Sequence, residues 1–254
     1  MILGLEFPPV SHAIEWPDLF GSGPFAVNKV VILMWLSVLL VVGFFFIAAG
    51  KGGSLVPRGV RNIAEASIDF IREGIVMQTM GTDGLAWTPL LLSFFTFIFV
   101  NNIWGVIPVA QMPVNARMAL PLFMALLVWL LFVFEGFRHQ GLRYLTNVMF
   151  PPGVPKALYI LVTPIEFVSV FLVRPLSHSV RLFANALAGH LILISFAVIT
   201  AALFTLQAVA VILPFSFFLL IALTGFELLV AFLQAYIFTI LAAVYLGSSM
   251  HPEH

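Results

Sequence analysis

The sequence predicts an all-α polytopic membrane protein: five membrane-embedded helices plus one amphipathic surface helix. Three observations lead there. Apolar residues make up 62% of the 254 residues and charged residues 9%, against roughly 45–50% and about 25% in ordinary soluble domains. The mean hydropathy is +1.13. Long uncharged apolar runs recur along the chain. With 27 Phe and only 11 basic and 11 acidic residues, too little polar surface exists to cover a water-soluble body, and a soluble enzyme is excluded. The charges cancel, so there is no basic excess for phosphate-backbone binding, and nucleic acid is not an expected partner. Zero Cys excludes a disulfide scaffold, a thiolate metal site and a Cys nucleophile, and says nothing about redox compartment.

The elements follow in order. Residues 1–29 carry Glu6, Glu15, Asp18 and four prolines before Lys29. A cleavable signal needs a basic start, a short apolar run and a small-residue cleavage site, so this segment and the first span are expected to be retained. Residues 30–50 hold no charge over about the 20 residues that cross roughly 30 Å of hydrocarbon, and read as the first transmembrane helix. Within residues 57–80, Val60, Ala64, Ile68, Ile71 and Ile75 recur at helical spacing opposite Arg61, Asn62, Glu65, Asp69 and Arg72. That pattern predicts a helix lying in the interface plane with one face in the lipid. Residues 88–137 hold two apolar runs, 88–108 and 119–137, around a polar turn at 111–117, a transmembrane hairpin. Asn101 and Asn102 inside its first arm fit either amide glue between helices or part of a pathway.

Residues 151–246 are almost unbroken apolar sequence punctuated by Pro155, Pro164, Pro175 and Pro214. Prolines kink or divide helices. The expected pieces are a helix from about 155 to 173, a bend at Arg174 and Pro175, a helix to about 204, a turn near 207–214, and a last helix to Leu246. Residues 247–254 form a tail. Lys51, Arg58, Arg61 and Arg72 follow the first span, and Arg138, Arg143 and Lys156 follow the hairpin, whereas the intervening turn holds Arg117 alone. The richer loops therefore face the cytoplasm or matrix, the N-terminus lies outside, and five crossings leave the tail inside. Trp16, Trp87 and Trp104 fit interfacial anchors.

An ionisable side chain at mid-membrane costs about 2.5–3.5 kcal/mol on insertion scales and needs a reason to be there. Five are expected deep in the last third: Glu166, Arg174, Arg181, His190 and Glu227. Arg174, Ser177, Arg181 and Asn185, at spacings of 3, 4 and 4, make a polar stripe on one helix face. Snorkelling is easy only near a helix end, which suits Arg174 beside Pro175 and does not suit Arg181. His190 lies nine residues past Arg181, about half a turn away in azimuth and about 13 Å further along the axis. A lone membrane His is often an interhelical hydrogen bonder. Glu227, which shares a face with Gln234 seven residues on, offers it a titratable partner: carboxylate and imidazole on adjacent helices can pass a proton, and a permanently charged Arg cannot. Ala184 with Ala188, and Ala231 with Ala235, allow close helix approach, for internal packing or for docking of another subunit. Gly50 to Ser54 lacks Walker spacing, so no nucleotide site is assigned. His251 and His254 read as a solvated end; no metal and no cofactor are expected.

RPLSHSVRLFANALAGHLIL, residues 174–193, and FELLVAFLQAYIFTILAAVYL, residues 226–246, closely resemble subunit a of the F-type ATP synthase. With the preceding helices in the same order, the resemblance covers nearly the whole chain. It implies that Arg181 is the family's essential arginine, Asn185 its neighbouring asparagine and Gln234 the glutamine facing the arginine. His190 and Glu227 match the two exchangeable half-channel positions, in the mitochondrial order. Glu166 resembles the acid of the opposite half-channel, whose spacing to the arginine varies by about a residue. The resemblance further implies two long, strongly tilted helices within 151–246 facing a rotating c-subunit ring, with Arg174 and Ser177 on the ring-facing stripe. It implies peripheral-stalk b-type subunits, the remaining F1Fo subunits and membrane lipid as partners, and a bacterial plasma membrane as the location. Two alternatives are a stand-alone proton-coupled secondary transporter, for which no internal repeat is evident, and an intramembrane enzyme using Glu227 and His190 as acid and base.

Overall fold

The computed structural model describes residues 17–21, 23, 26–50, 58–107, 110, 112–150, 155, 158–205 and 213–250. The chain opens with a short antiparallel ribbon, β1 (Asp18–Phe20) and β2 (Val27–Asn28), which an all-helical reading omits; Gly21 at φ 79° and Gly23 at φ 90° supply the left-handed backbone between the strands. Asn28 then caps α1 (Lys29–Ala48), its Oδ1 accepting the Val31 N–H at 3.1 Å, a side-chain acceptor for an otherwise orphan amide.

α2 (Val60–Ile71) runs into a π segment, Arg72–Val76, and a short turn, Met77–Thr79. A 3₁₀ stretch, Gly81–Trp87, leads directly into α3 (Thr88–Ile103). The α-helix of this arm starts at the expected residue 88, and the 3₁₀ stretch extends the continuous helical stretch back to Gly81. A 3₁₀ turn at Val114–Ala116 precedes α4 (Ala119–Gln140). Gly141, at φ 60°, stops α4 and donates its N–H to the Phe137 carbonyl. α5 (Arg143–Met149) is a brief helix.

α6 (Tyr159–Val168), a π segment (Ser169–Val173) and α7 (Arg174–Thr205) follow without a break. The expected bend at Arg174 and Pro175 is thus a π turn one step earlier. Pro175 has no N–H to give the carbonyl four residues back, at Phe171, and the Arg174 N–H reaches Ser169 instead, the wider spacing that defines a π turn. α8 (Leu213–Met250) runs past the expected end at Leu246, so residues 247–250 belong to the helix, not to a tail. Gly247 permits this, since its Cα approaches the Thr79 carbonyl, 3.0 Å from where a Cβ would stand. Of the expected turn at 207–214, only Leu213 and Pro214 are among the described residues, both in the first turn of α8, where proline is tolerated. Glu6, Glu15, Trp16, Lys51, Lys156, His251 and His254 lie outside the described residues.

Among the described residues, five helical stretches are long and apolar enough to cross a membrane: Lys29–Ala48, Gly81–Ile103, Ala119–Gln140, Tyr159–Leu203 and Leu213–Met250. The chain is an all-α polytopic membrane protein. It divides into two compact units, one of residues 1–42, 97–117 and 183–235, the other of residues 43–96, 118–182 and 236–254.

In the first unit the hairpin's amides act as glue. The Ser37 hydroxyl lies 3.0 Å from Asn101 Oδ1 and takes a hydrogen bond from Trp104 Nε1 at 2.7 Å; Asn115 Nδ2 donates to Asn102 Oδ1 at 2.7 Å. All four of Ser37, Asn101, Asn102 and Asn115 are buried. In the second unit the apolar side of α2 and of the π segment after it packs partly on protein. Ile71, Ile75 and Val76 are fully buried, and Phe70 stacks near Phe95 and Tyr236, at 5.7 and 5.9 Å between ring centroids. Neighbouring helices thus supply the apolar surface that no soluble core could offer. Val60, Ile63, Ile68 and Phe70 remain exposed on the helix, where lipid can meet them.

Candidate functional site

Four of the eight expected site residues lie in each unit. Asn185, His190, Glu227 and Gln234 belong to the first; Glu166, Arg174, Ser177 and Arg181 belong to the second.

In the first unit α7 meets α8 at Gly189. A Cβ there would fall on the Glu227 carboxyl group, so the carboxyl lies on the bare backbone of α7, one residue from His190. His190 and Glu227 are both buried, and so is Gln234, two turns along from Glu227. One face of α8 thus carries both polar side chains inward, as their spacing requires. Asn185 is half-buried, one turn before Gly189. Thr200 and Ser216 share a buried 2.7 Å hydrogen bond that ties the same two helices together again. This arrangement sets a carboxylate and an imidazole on adjoining helices in an apolar setting, the elements of a proton relay.

In the second unit Arg181 is exposed, and among the described residues no carboxylate pairs with it. It is the central residue of the span Tyr159–Leu203, far from either end. Val180, Leu176 and Ser177 around it are exposed too. In the first unit, Ala184 and Ala188 on α7 are exposed, and Ala231 and Ala235 on α8 are buried. The two small-residue pairs therefore serve different ends: packing on α8, an open face on α7. Arg174 turns onto its own fold, its guanidinium 5.3 Å from the centroid of the Tyr245 ring, a cation–π contact.

Glu166 is half-buried, and the π turn sets its bearing. Fifteen residues of straight α-helix place it about 60° from Arg181. The π turn absorbs about one residue and swings it through about 100°, to about 40° on the other side.

Two buried ionisable groups escaped the sequence reading. His178, a turn before Arg181, is buried with its ring centroid 4.0 Å from that of Phe238, and its Nε2 has no hydrogen-bond partner. Glu135 of α4 is buried as well. The signal for both was the one applied elsewhere, an ionisable residue inside an apolar run. Gly189 was missed too, although a glycine inside a helix costs about 1 kcal/mol against alanine and so asks for a packing reason. Among the described residues there is no group of three or more His, Asp or Glu able to hold a metal ion.

Membrane-crossing helices of unusual length, with acid, imidazole and amide groups buried along them and a guanidinium left open at mid-span, define a polytopic membrane protein built around ionisable groups. Residues 31–247 match the family described as ATP synthase A chain. ATP synthase subunit a of Rhodococcus erythropolis is 37% identical over 95% of this chain and 91% of its own length. That of Frankia alni is 36% identical over 99% of this chain and 88% of its own, and that of a Rhodopseudomonas palustris strain is 42% identical over 96% and 98%. The chain belongs to the ATP synthase A chain family.

Proposed function

We propose that this chain is the proton-translocating stator subunit of a rotary ATP synthase, passing protons to and from the carboxylates of a c-subunit ring through offset half-channels. Family membership supports this over a stand-alone secondary transporter. The observation that carries the mechanism is the open guanidinium of Arg181 in the middle of an apolar span, with no carboxylate partner among the described residues. Such a charge is costly in lipid, and a carboxylate borne by another polypeptide offsets the cost. A ring carboxylate entering its field is favoured in the charged form, and gives up its proton. The fixed cation also repels a proton passing straight from one half-channel to the other. His190, Glu227, Asn185 and Gln234 form the relay on one side and Glu166 the acid on the other, with Ser177 on the ring-facing stripe. Arg174, at the end of that stripe, holds α7 to Tyr245.

α8 has 38 residues, about 57 Å of helix, against roughly 30 Å of hydrocarbon. A strong tilt keeps its apolar length in lipid and lays it along a ring. A transmembrane potential supplies about 2.3 kcal/mol per charge per 100 mV, which the offset channels turn into rotation. ATP chemistry belongs to other subunits of the complex, with b-type stalk subunits holding this chain against the ring. The N-terminus faces outward from a bacterial plasma membrane. Arg181→Ala is expected to abolish proton-driven ATP synthesis in vesicles while the complex still assembles; near-normal synthesis would overturn the assignment.

A further inference from the structure

The hairpin helix α4 carries a carboxyl group that this proton path does not use. Glu135 is 3% exposed, although it sits only one turn from the end of its helix. One carboxyl oxygen is 3.3 Å from Arg138, and the other is buried with no hydrogen-bond partner. The side chain lines a cavity of about 260 Å³, together with Asp83, Trp87, Arg138, His139 and Met250. A cavity needs only about 10–15 Å³ of such space to hold one water, so this one has room for several. All the lining residues lie in one compact unit, and Gln140 donates to the Ser249 carbonyl at 2.9 Å, so the ends of α4 and α8 meet beside it. The chain leaves this end into the segment bearing Arg143, the side that the distribution of Lys and Arg places in the cytoplasm or matrix.

A structural ion pair accounts for the oxygen on Arg138 but not for the other. A buried carboxyl oxygen without a partner is rare in a native fold and asks for water or chemistry. One oxygen is anchored on Arg138 and the other is buried without a partner at the wall of a polar cavity, an arrangement that suits proton exchange with water entering that cavity. A hydronium ion protonates the carboxylate and leaves water, and a second water then takes the proton on.

We propose that Glu135 is the proton-exchanging group of an aqueous vestibule at the basic-loop end of the molecule, collecting protons from bulk water or returning them to it. This rests on the function proposed above. The charged and titratable groups around Glu135 are Asp83 from the 3₁₀ stretch, Arg138 and His139 from α4 itself, and Tyr144 of α5, whose ring packs on Gly136. The His139 Nδ1 lies 3.1 Å from the Glu135 carbonyl oxygen. Met250 brings α8 to the cavity without charge.

The test is ATP-driven proton uptake by the intact complex in proteoliposomes, with the basic-loop face outward and the outside pH varied. Glu135→Gln is expected to slow uptake severalfold at alkaline outside pH, where protons are scarce, and far less at acid pH, whereas Glu135→Asp keeps most of the rate. Ala86→Phe, which fills the cavity from its rim without changing charge, is expected to reproduce the alkaline loss. Wild-type rates and pH profile in Glu135→Gln overturn the proposal, as does an equal loss at every pH. If that variant fails to assemble, a normal profile in Ala86→Phe overturns it instead. Arg181→Ala is measured alongside: normal uptake there sinks the underlying function, whereas lost uptake there with a normal Glu135→Gln sinks the vestibule alone.

Discussion

Gly189 owes its identity to a carboxyl group. The site on α7 where an alanine methyl would stand is taken by Glu227 of α8, so the pairing of these helices depends on one missing side chain. Gly189→Ala therefore overpacks the relay. It is expected to cost about 1–3 kcal/mol, read as a lower thermal midpoint of the purified complex, and to cut proton flux. Glu227→Asp in the same chain withdraws the carboxyl by one methylene and is expected to restore part of the stability; no recovery would show that the strain lies elsewhere. Glu227→Gln keeps the shape and removes the proton, so it slows flux at unchanged stability if the group relays. Glu227 and His190 were legible as ionisable residues in apolar sequence; Gly189 was legible as a glycine asking for a packing reason, and only the facing helix supplied that reason. His178 and Glu135 show the reverse. Their chemistry stood in the sequence, but nothing there said which faces would be buried, because that depends on aromatic neighbours brought from distant helices.

Among the elements, the π turn at Ser169–Val173 has the largest consequence. Proline signalled an irregularity near Arg174, but a π turn has no hydrophobic period of its own, so its type was not readable. It matters because one absorbed residue swings everything before it by about 100°. Deleting Leu172, an exposed residue of the turn, is expected to convert it to regular α-helix and carry Glu166 off its bearing. Proton-driven ATP synthesis should fall severalfold in assembled complexes; unchanged synthesis would show that the azimuth of Glu166 is not used. α2 teaches a related lesson. Its amphipathic spacing was plain, but spacing cannot distinguish a lipid surface from a protein one, and the burial of Ile71, Ile75 and Val76 assigns much of the apolar face to the protein.

For the whole molecule, the proposed orientation can be tested directly because the native chain has no Cys. Leu142, 82% exposed after α4, and Phe20, 72% exposed in the ribbon, are suitable single-Cys positions. In sealed vesicles of known sidedness, a membrane-impermeant thiol reagent is expected to label Leu142→Cys from the cytoplasmic side and Phe20→Cys from the opposite side. The reverse pattern would overturn the proposed topology.

The sequence by itself determined the class, the five spans and most of the ionisable residues, because the choice between water and lipid outweighs every local preference. A chain this apolar has to place its helices in lipid, and each charge left in them stands out. Tertiary structure alone decided which of those groups turn inward, which one stays open on α7, and where two helices come close enough to exclude a methyl group. Those outcomes depend on packing between residues far apart in the chain, and no local pattern encodes them.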